Sequence, residues 1–522
     1  MSGRSAEVSL SSIFCNFPFT LHSPIPDAYV TGVVSDSRQV QPGNLFVAIP
    51  GGSVDGHRFI SDAIQRGAAT VVGMQELDGL VVPYVRVSDT RLGLAHLAAG
   101  YYDYPAHKLV VIGVSGTDGK TTTANLLFQI LKAAGVAVGM ISTVNAVIGE
   151  TELDTGFHVT TPDAPDIQRY LSMMYAAGMT HVVLEATSHG LAQGRVEACD
   201  FDIAIITNIT HEHLDYHGSY EAYRAAKGSL FMGLAASTPK SLSIPRTGIL
   251  NLDDASYEYL SEVTPVSQLC YGLQPRADVR AKDVEYLPKG LGFQVVGPHH
   301  AFPVTSRLVG GYNVSNCLAA IAAAVEVIGV SPAAAQAGIA AFTGVPGRME
   351  LIDLGQSFTA IVDFAHTPNA LRRALETARQ MTSGRIIAVF GSAGLRDRAK
   401  RRMMAEASGE LSDLTILTAE DPRTESLEAI LEEMAEGVAS RGGEEAKTFW
   451  RIPDRGEAIR FAVSLAGPGD LVIACGKGHE QSMCFGTQEY AWDDRTGMRS
   501  ALAELLNLPG PEMPYLPTRK QV

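Results

Sequence analysis

The chain has 522 residues, 46% of them hydrophobic and 19% charged, with a formal net charge of −15. That length suggests about three domains, each with enough apolar residues for its own core, and the acidic balance argues against a nucleic-acid groove. Six cysteines (Cys15, Cys199, Cys270, Cys317, Cys475 and Cys484) stand apart with no C-x-x-C pair, which argues against zinc or a disulfide framework and for reduced thiols. The N-terminal MSGRSAEVSLSSIFC lacks the apolar core of a signal peptide, and no run approaches the roughly 18 apolar residues of a membrane span. A cytoplasmic protein is expected.

Residues from about 25 to 100 alternate short strand-like runs (YVTGVVSDS, NLFVAIPG, ATVVGM, VPYVRVSD) with the helical FISDAIQRGA. They predict a small N-terminal α/β domain over 1–104, closed by the junction YYDYPAHK. Next comes VVIGVSGTDGKTTTANLL. Val110 to Val114 reads as a buried strand, and Lys120 onward as a helix with Ala124, Leu126 and Leu127 available to a core. Between them, Gly116, Thr117, Asp118, Gly119, Lys120, Thr121 and Thr122 form a glycine-punctuated turn. Such a turn points successive backbone N–H groups inward at a helix N-terminus, where an anion is stabilised. Lys120 can then reach the outer phosphates, and Thr121 can offer its hydroxyl to Mg²⁺. The usual P-loop has glycine where this chain has Val114, so the pattern is a variant; the bland alternative is a plain strand–turn–helix with a solvated lysine. The stretch predicts a nucleoside triphosphate site, for ATP.

Strands and helices then alternate to about residue 345, with HVVLEATS, FDIAIITNI and TGILNLDD each running into a polar or glycine-bearing loop. This rhythm predicts a central domain over 105–345: a P-loop domain with a mostly parallel sheet and helices on both faces. The stretch ADVRAKDVEYLPKGLGFQVVGPHHAFPVTSRLVGG alternates at shorter spacing and reads as an antiparallel patch; NVSNCLAAIAAAVEVIG and SPAAAQAGIAAF read as closing helices. TGVPGRME is a Gly/Pro joint, with Gly344 to Gly347 as the hinge candidate. FTAIVDFAH, RIIAVFGSA, DLTILTAED and DLVIACGKG, separated by helices, predict a Rossmann-like, doubly wound C-terminal domain over 346–522. Only its last ten or so residues look loose.

Ligands of open α/β sheets collect at the carboxyl ends of strands. After HVVL come Glu185, Thr187, Ser188 and His189, then Gln193 and Arg195; after FDIAIITNI comes THEHLDYH, with His213 in it. A lone Glu or His there is more often structural, but Glu185 and His213 flanking a phosphate turn could hold a divalent cation beside Thr121. Lys227, in the helical YEAYRAAKGSLF, reads from residue statistics alone as a surface lysine.

GTDGKTTT, EATSHGLAQGR, TNITHEHLDYHG with the following AAK, GGYNVSN, PGRME, DFAHTPNAL, EDPRTE and GKGHE occur in the order found in Mur ligases. The chain resembles that family over essentially its whole length. The N-terminal SDSRQVQPGNLFVAIPG and DGHRFI are similar to the UDP-binding domain of the members that add the third peptide residue, a diamino acid, to the UDP-muramoyl-dipeptide precursor of peptidoglycan.

The resemblance implies roles residue by residue. Ser35, Ser37 and the turn from Gly51 to Ser53 would hold the UDP part; Thr160, Thr161, Thr187, Gln193 and Arg195 would grip the muramoyl-dipeptide. The family more often has serine at Thr187. Lys227 would carry a carbamate made with CO₂ and so join Thr121, Glu185 and His213 around Mg²⁺. Asn313, Asn316, Arg348, Asp363 and His366 would contact ATP, while Arg396, Glu420, Asp421, Pro422, Arg423, Gly476 and Glu480 would line the diamino-acid pocket. A monomer is expected. Related enzymes that take meso-diaminopimelate typically carry DNPR where this chain has EDPR. The retained Arg423 points to meso-diaminopimelate, because its planar fork can take the distal carboxylate. The acidic change keeps L-lysine and L-ornithine open. A folylpolyglutamate-type ligase, a P-loop switch without an amino-acid pocket and a non-catalytic relative are the rival readings.

Overall fold

In the computed structural model, described over residues 7–51, 54–142, 145–153, 161–210, 214–236, 238–287 and 290–519, the valine- and isoleucine-rich runs form buried strands. Val110–Ser115 is buried at every position. It lies between His181–Glu185 and Ile203–Ile206 and runs parallel to both. A strand covered on both faces has no solvent side to mark with polar residues, hence its unbroken apolar run.

These strands sit inside an eleven-stranded sheet. From Val138–Ile141 to Val279–Leu287 its pairings are parallel; Ala146–Ile148 and Thr151–Leu153 add an antiparallel edge. The stretch expected as an antiparallel patch supplies the opposite edge, Val279–Leu287, Gly290–Val296 and Ala301–Ser306. One face packs on Ala164–Ala176 and Tyr220–Met232, through Ile167, Leu171, Tyr223 and Phe231. Another helical layer comprises Lys120–Ala133, Tyr312–Ile321 and Pro332–Ala341. Gly338 permits close helix contact there: a Cβ would lie 2.6 Å from the Ile130 Cα.

The N-terminal region carries its own four-stranded parallel sheet, Val33–Val34, Leu45–Val47, Thr70–Gly73 and Tyr84–Arg86. The helix Arg91–Tyr101, which residue spacing does not announce, is buried along most of its length. Its alanines and glycines show little polar face, so a periodicity argument finds nothing.

The chain divides into two compact bodies, the first holding both sheets above and the second starting at Thr343, apart from two short segments. The second body is a six-stranded sheet ordered Glu350–Leu351, Thr359–Asp363, Leu471–Cys475, Ile386–Phe390, Leu414–Leu417 and Phe449–Arg451. All pairings are parallel except the first. This is the doubly wound arrangement expected, with apolar clusters on both faces. Up to Arg519 the C-terminal tail is packed rather than loose: Leu516 is fully buried in one of those clusters, and Thr518 donates to Asp454 at 2.9 Å, while residues 520–522 lie outside the described residues. Among the described residues, no helix is long and apolar enough to cross a membrane.

Candidate functional site

In the first body, the sheet register positions one set of candidate residues. Glu185 stands opposite Val114, and Ile206 opposite Ser115, so the loops after all three strands emerge at one edge. Gly116 (φ +147°) and Gly119 (φ +82°) turn the chain there. Both need a missing side chain: a Cβ on Gly116 would fall 1.8 Å from Thr207 Oγ1, and one on Gly119 would fall 2.4 Å from Asn316 Oδ1. The turn is braced from outside. Thr117 N donates to the Asn208 carbonyl at 2.8 Å, and Asp118 N to Asn208 Oδ1 at 3.0 Å. Thr207 Oγ1 donates to the Asp118 carbonyl at 2.5 Å, and the Thr117 hydroxyl meets Tyr223 OH at 2.9 Å. Lys120 Nζ curls onto the Thr117 carbonyl at 2.8 Å. Thr122 is half-buried in the first turn of the helix. Asn313 and Asn316 are joined at 2.8 Å, and Thr123 donates to Asn316 Oδ1 at 3.4 Å, so this pair lies against the phosphate turn.

Thr121 Oγ1 lies 3.0 Å from each oxygen of Glu185, whose side chain is buried. Two hard oxygen donors at a helix N-terminus suit Mg²⁺. Among the described residues no group of three His, Cys, Asp or Glu gathers; His213 and Thr160 lie outside the described residues, as does Ser53. Lys227 is 1% exposed, so the surface-lysine reading falls. Ser219 caps its helix, and the Tyr223–Lys227–Phe231 spacing turns one stripe into the core. Its Nζ donates to the Gly116 carbonyl at 2.5 Å and lies 4.6 Å from the centre of the Tyr223 ring.

Next to Glu185, the Thr161 and Thr187 hydroxyls meet at 2.9 Å. Arg195 donates to the Thr161 carbonyl at 2.7 Å and to Gln193 Oε1 at 2.9 Å, and pairs with Asp163 at 3.3 Å. Four of the five residues assigned to the dipeptide therefore form one connected group. In the N-terminal sheet, Ser35 follows the strand Val33–Val34. Buried Ser37 hydrogen-bonds Asp62, and with Arg66 holds that carboxyl below its ordinary range.

The second body carries the remaining set at its own strand ends. Burial raises the Asp363 carboxyl, with Arg348 opposing, and it accepts Met349 N at 2.7 Å and Ala365 N at 2.9 Å. Arg348 lies 4.4 Å from the Phe364 ring centre, and His366 Nδ1 is 2.9 Å from the Phe364 carbonyl. Burial, together with Arg348 and Arg495, pushes His479 down to about 4, so it is neutral. Glu420 is pushed up to about 7 by burial despite Lys400, Arg455 and Lys477. A Cβ on Gly476 would lie 2.4 Å from its Oε2.

Asp421 and Arg423 both adopt left-handed backbone (φ +42° and +54°), a conformation tolerated when surroundings hold it. Strand Ser482–Phe485 does so: Cys484 N donates to Asp421 Oδ1 at 2.9 Å, and Arg423 N donates to the Cys484 carbonyl at 3.1 Å. Lys477 meets Asp421 at 3.0 Å and Glu480 at 2.6 Å. Arg423 forms no ion pair among the described residues. Arg396 is exposed, on the loop following Gly394, whose N–H donates to the Asp421 carbonyl at 3.0 Å. The sequence reading missed Thr207, Asn208, Tyr223 and Lys477 as individuals. The first two lie inside TNITHEHLDYHG, where a strand's end beside the phosphate turn was the available signal.

A glycine turn at the head of a parallel sheet, with an acid and a lysine converging on it, defines a P-loop nucleotide-using α/β protein. Comparison with known proteins narrows this. Residues 29–102 match "Mur ligase family, catalytic domain", 114–324 "Mur ligase middle domain" and 347–478 "Mur ligase, glutamate ligase domain". The UDP-N-acetylmuramyl-tripeptide synthetase of Roseiflexus sp. (strain RS-1) is 44% identical, with 93% of this chain and 96% of the relative covered. The UDP-N-acetylmuramoyl-L-alanyl-D-glutamate–2,6-diaminopimelate ligase of Geobacillus thermodenitrificans (strain NG80-2) is 41% identical, covering 91% and 95%. A solved structure of a ligase of that same description superposes with a TM-score of 0.67 at 32% identity, covering 96% of this chain and 100% of that one. The chain belongs to the Mur ligase family, and it is an ATP-dependent ligase.

Proposed function

We propose that this protein joins meso-diaminopimelate to UDP-N-acetylmuramoyl-L-alanyl-D-glutamate at the expense of ATP, in peptidoglycan synthesis. Its working parts are an N-terminal UDP-binding region (1–104), a central ATP region (105–345) and a C-terminal amino-acid region (346–522). The protein acts as a cytoplasmic monomer. One observation supports the choice of amino acid above the rest. The acidic residues that replace the usual Asp-Asn form no ion pair with Arg423 among the described residues: Asp421 is paired with Lys477, and Glu420 is buried beneath Gly476. Arg423 is therefore left for a carboxylate from outside, which L-lysine and L-ornithine lack.

The chemistry follows from charge. A carboxylate does not acylate an amine at neutral pH, so its oxygen first attacks the γ-phosphorus of ATP, giving an acyl phosphate and ADP. Lys120 and the turn amides offset charge spreading over the transferring phosphoryl group. ATP and Mg²⁺ dependence is typical of this ligase family; Thr121, Glu185, His213 and carbamylated Lys227 would hold the ion, which supplies further charge neutralisation. Lys227 in its uncharged form attacks CO₂ and releases a proton, exchanging a cation for an anion beside the phosphate turn. Thr161, Thr187, Gln193 and Arg195 orient the dipeptide. The amine of the incoming amino acid then attacks the acyl carbon, and phosphate leaves. Competition among meso-diaminopimelate, L-lysine and L-ornithine at equal concentration tests the assignment. The expected product carries meso-diaminopimelate; a lysine or ornithine product overturns that choice while leaving the ligase.

A further inference from the structure

Lys477 is 2% exposed and touches two carboxylates, those of Asp421 and Glu480. Burial works against its charge, but Glu480 and Asp421 outweigh that and keep it an ammonium. Two other cations near this strand end are committed elsewhere. Arg455 is locked to Asp494 at 2.6 Å with both side chains fully buried, and Lys400 donates to the His366 carbonyl at 3.0 Å. Among the described residues, Lys477 is the cation that contacts Asp421. Asp421 lies two residues from Arg423 on a segment pinned by Cys484. An uncompensated carboxylate there would repel a second carboxylate and attract an ammonium.

We propose that Lys477 is a specificity-determining positioning residue: it neutralises Asp421, so that Arg423 stays available to a carboxylate at the far end of the amino acid's side chain. The inference rests on reading this edge as the amino-acid pocket. It predicts that removing the Lys477 charge moves preference away from a diamino acid with a distal carboxylate and toward one with only a distal ammonium.

The test compares kcat/KM for meso-diaminopimelate and for L-lysine in the full-length protein, K477M, K477R, D421N and D421N/K477M, with folding checked by circular dichroism. In K477M the ratio should fall by about ten- to a hundredfold, mainly through KM for meso-diaminopimelate. K477R should keep the ratio, because the charge is kept. D421N/K477M should stay within about threefold of D421N, since Asp421 then has no charge to neutralise and only Glu480 loses its partner. That pair also decides the matter if K477M alone does not fold. Two results overturn the inference alone: a folded K477M with an unchanged ratio, or a double variant whose ratio falls about tenfold or more below that of D421N. A wild-type protein that turns over neither amino acid overturns the pocket reading and the inference with it.

Discussion

The ammonium of Lys227 donates to the carbonyl oxygen of Gly116 at 2.5 Å, across a sequence separation of 111 residues. A buried cation must be paired, and this one is paired to the backbone that forms the phosphate turn. Lys227→Ala should therefore lower turnover by about 100-fold or more while leaving the fold intact. Steady-state phosphate release together with circular dichroism checks this, and ¹³C-bicarbonate NMR should show a carbamate carbon in the wild type that the variant lacks. Near-wild-type turnover in the variant would return Lys227 to a packing role.

Gly116→Ala probes the turn itself. The added Cβ would meet Thr207 Oγ1 at 1.8 Å, at a backbone φ of +147° that L side chains rarely adopt. The substitution should cost about 1–3 kcal/mol of stability and remove measurable ATP binding. Titration with a fluorescent ATP analogue gives the result; retained affinity would mean the turn does not hold phosphate.

Glu420 makes stability depend on pH. Its carboxyl rises from an ordinary 4.5 to about 7 in the folded protein. The folded state thus keeps a proton that the unfolded state loses, and stability falls as pH rises from about 4.5 to 7, then levels off. Glu420→Gln removes that loss, and should be more stable than wild type above pH 7 by up to roughly 3 kcal/mol, with no such gain at pH 4. Both tryptophans, Trp450 and Trp492, lie in the second body, so urea unfolding followed by their fluorescence reads this directly.

The buried pair of Arg455 and Asp494 gives a second stability test by the same fluorescence. Asp494 accepts from Arg455 and from Trp492 Nε1 at 2.8 Å, and Arg455 also donates to the Ala419 and Cys475 carbonyls. Asp494→Asn leaves the guanidinium uncompensated and should cost about 3–5 kcal/mol. A loss below about 1 kcal/mol would place the pair in solvent.

The phosphate turn was legible because glycine, lysine and threonine sit within one short stretch between a strand and a helix. So was the edge carrying Glu185, since the strand's apolar run marks its own end. Arg91–Tyr101 was not, because an alanine- and glycine-rich helix packed on several sides has no amphipathic period. The packing of Leu516 is hidden for a related reason: a few apolar residues spaced by prolines carry no pattern, and their burial depends on a surface formed by distant residues. Lys477 was hidden because its two partners are set by backbone conformation at Asp421 and by the strand end, neither of which residue spacing reveals.

ATP cleavage is coupled to amide formation on a UDP-muramoyl-dipeptide. Purified protein given ATP, Mg²⁺, UDP-N-acetylmuramoyl-L-alanyl-D-glutamate and meso-diaminopimelate should form ADP, phosphate and the UDP-muramoyl-tripeptide in equal amounts, with little ADP when the dipeptide is omitted. ADP formation at the same rate with and without the dipeptide, and no tripeptide, would contradict it.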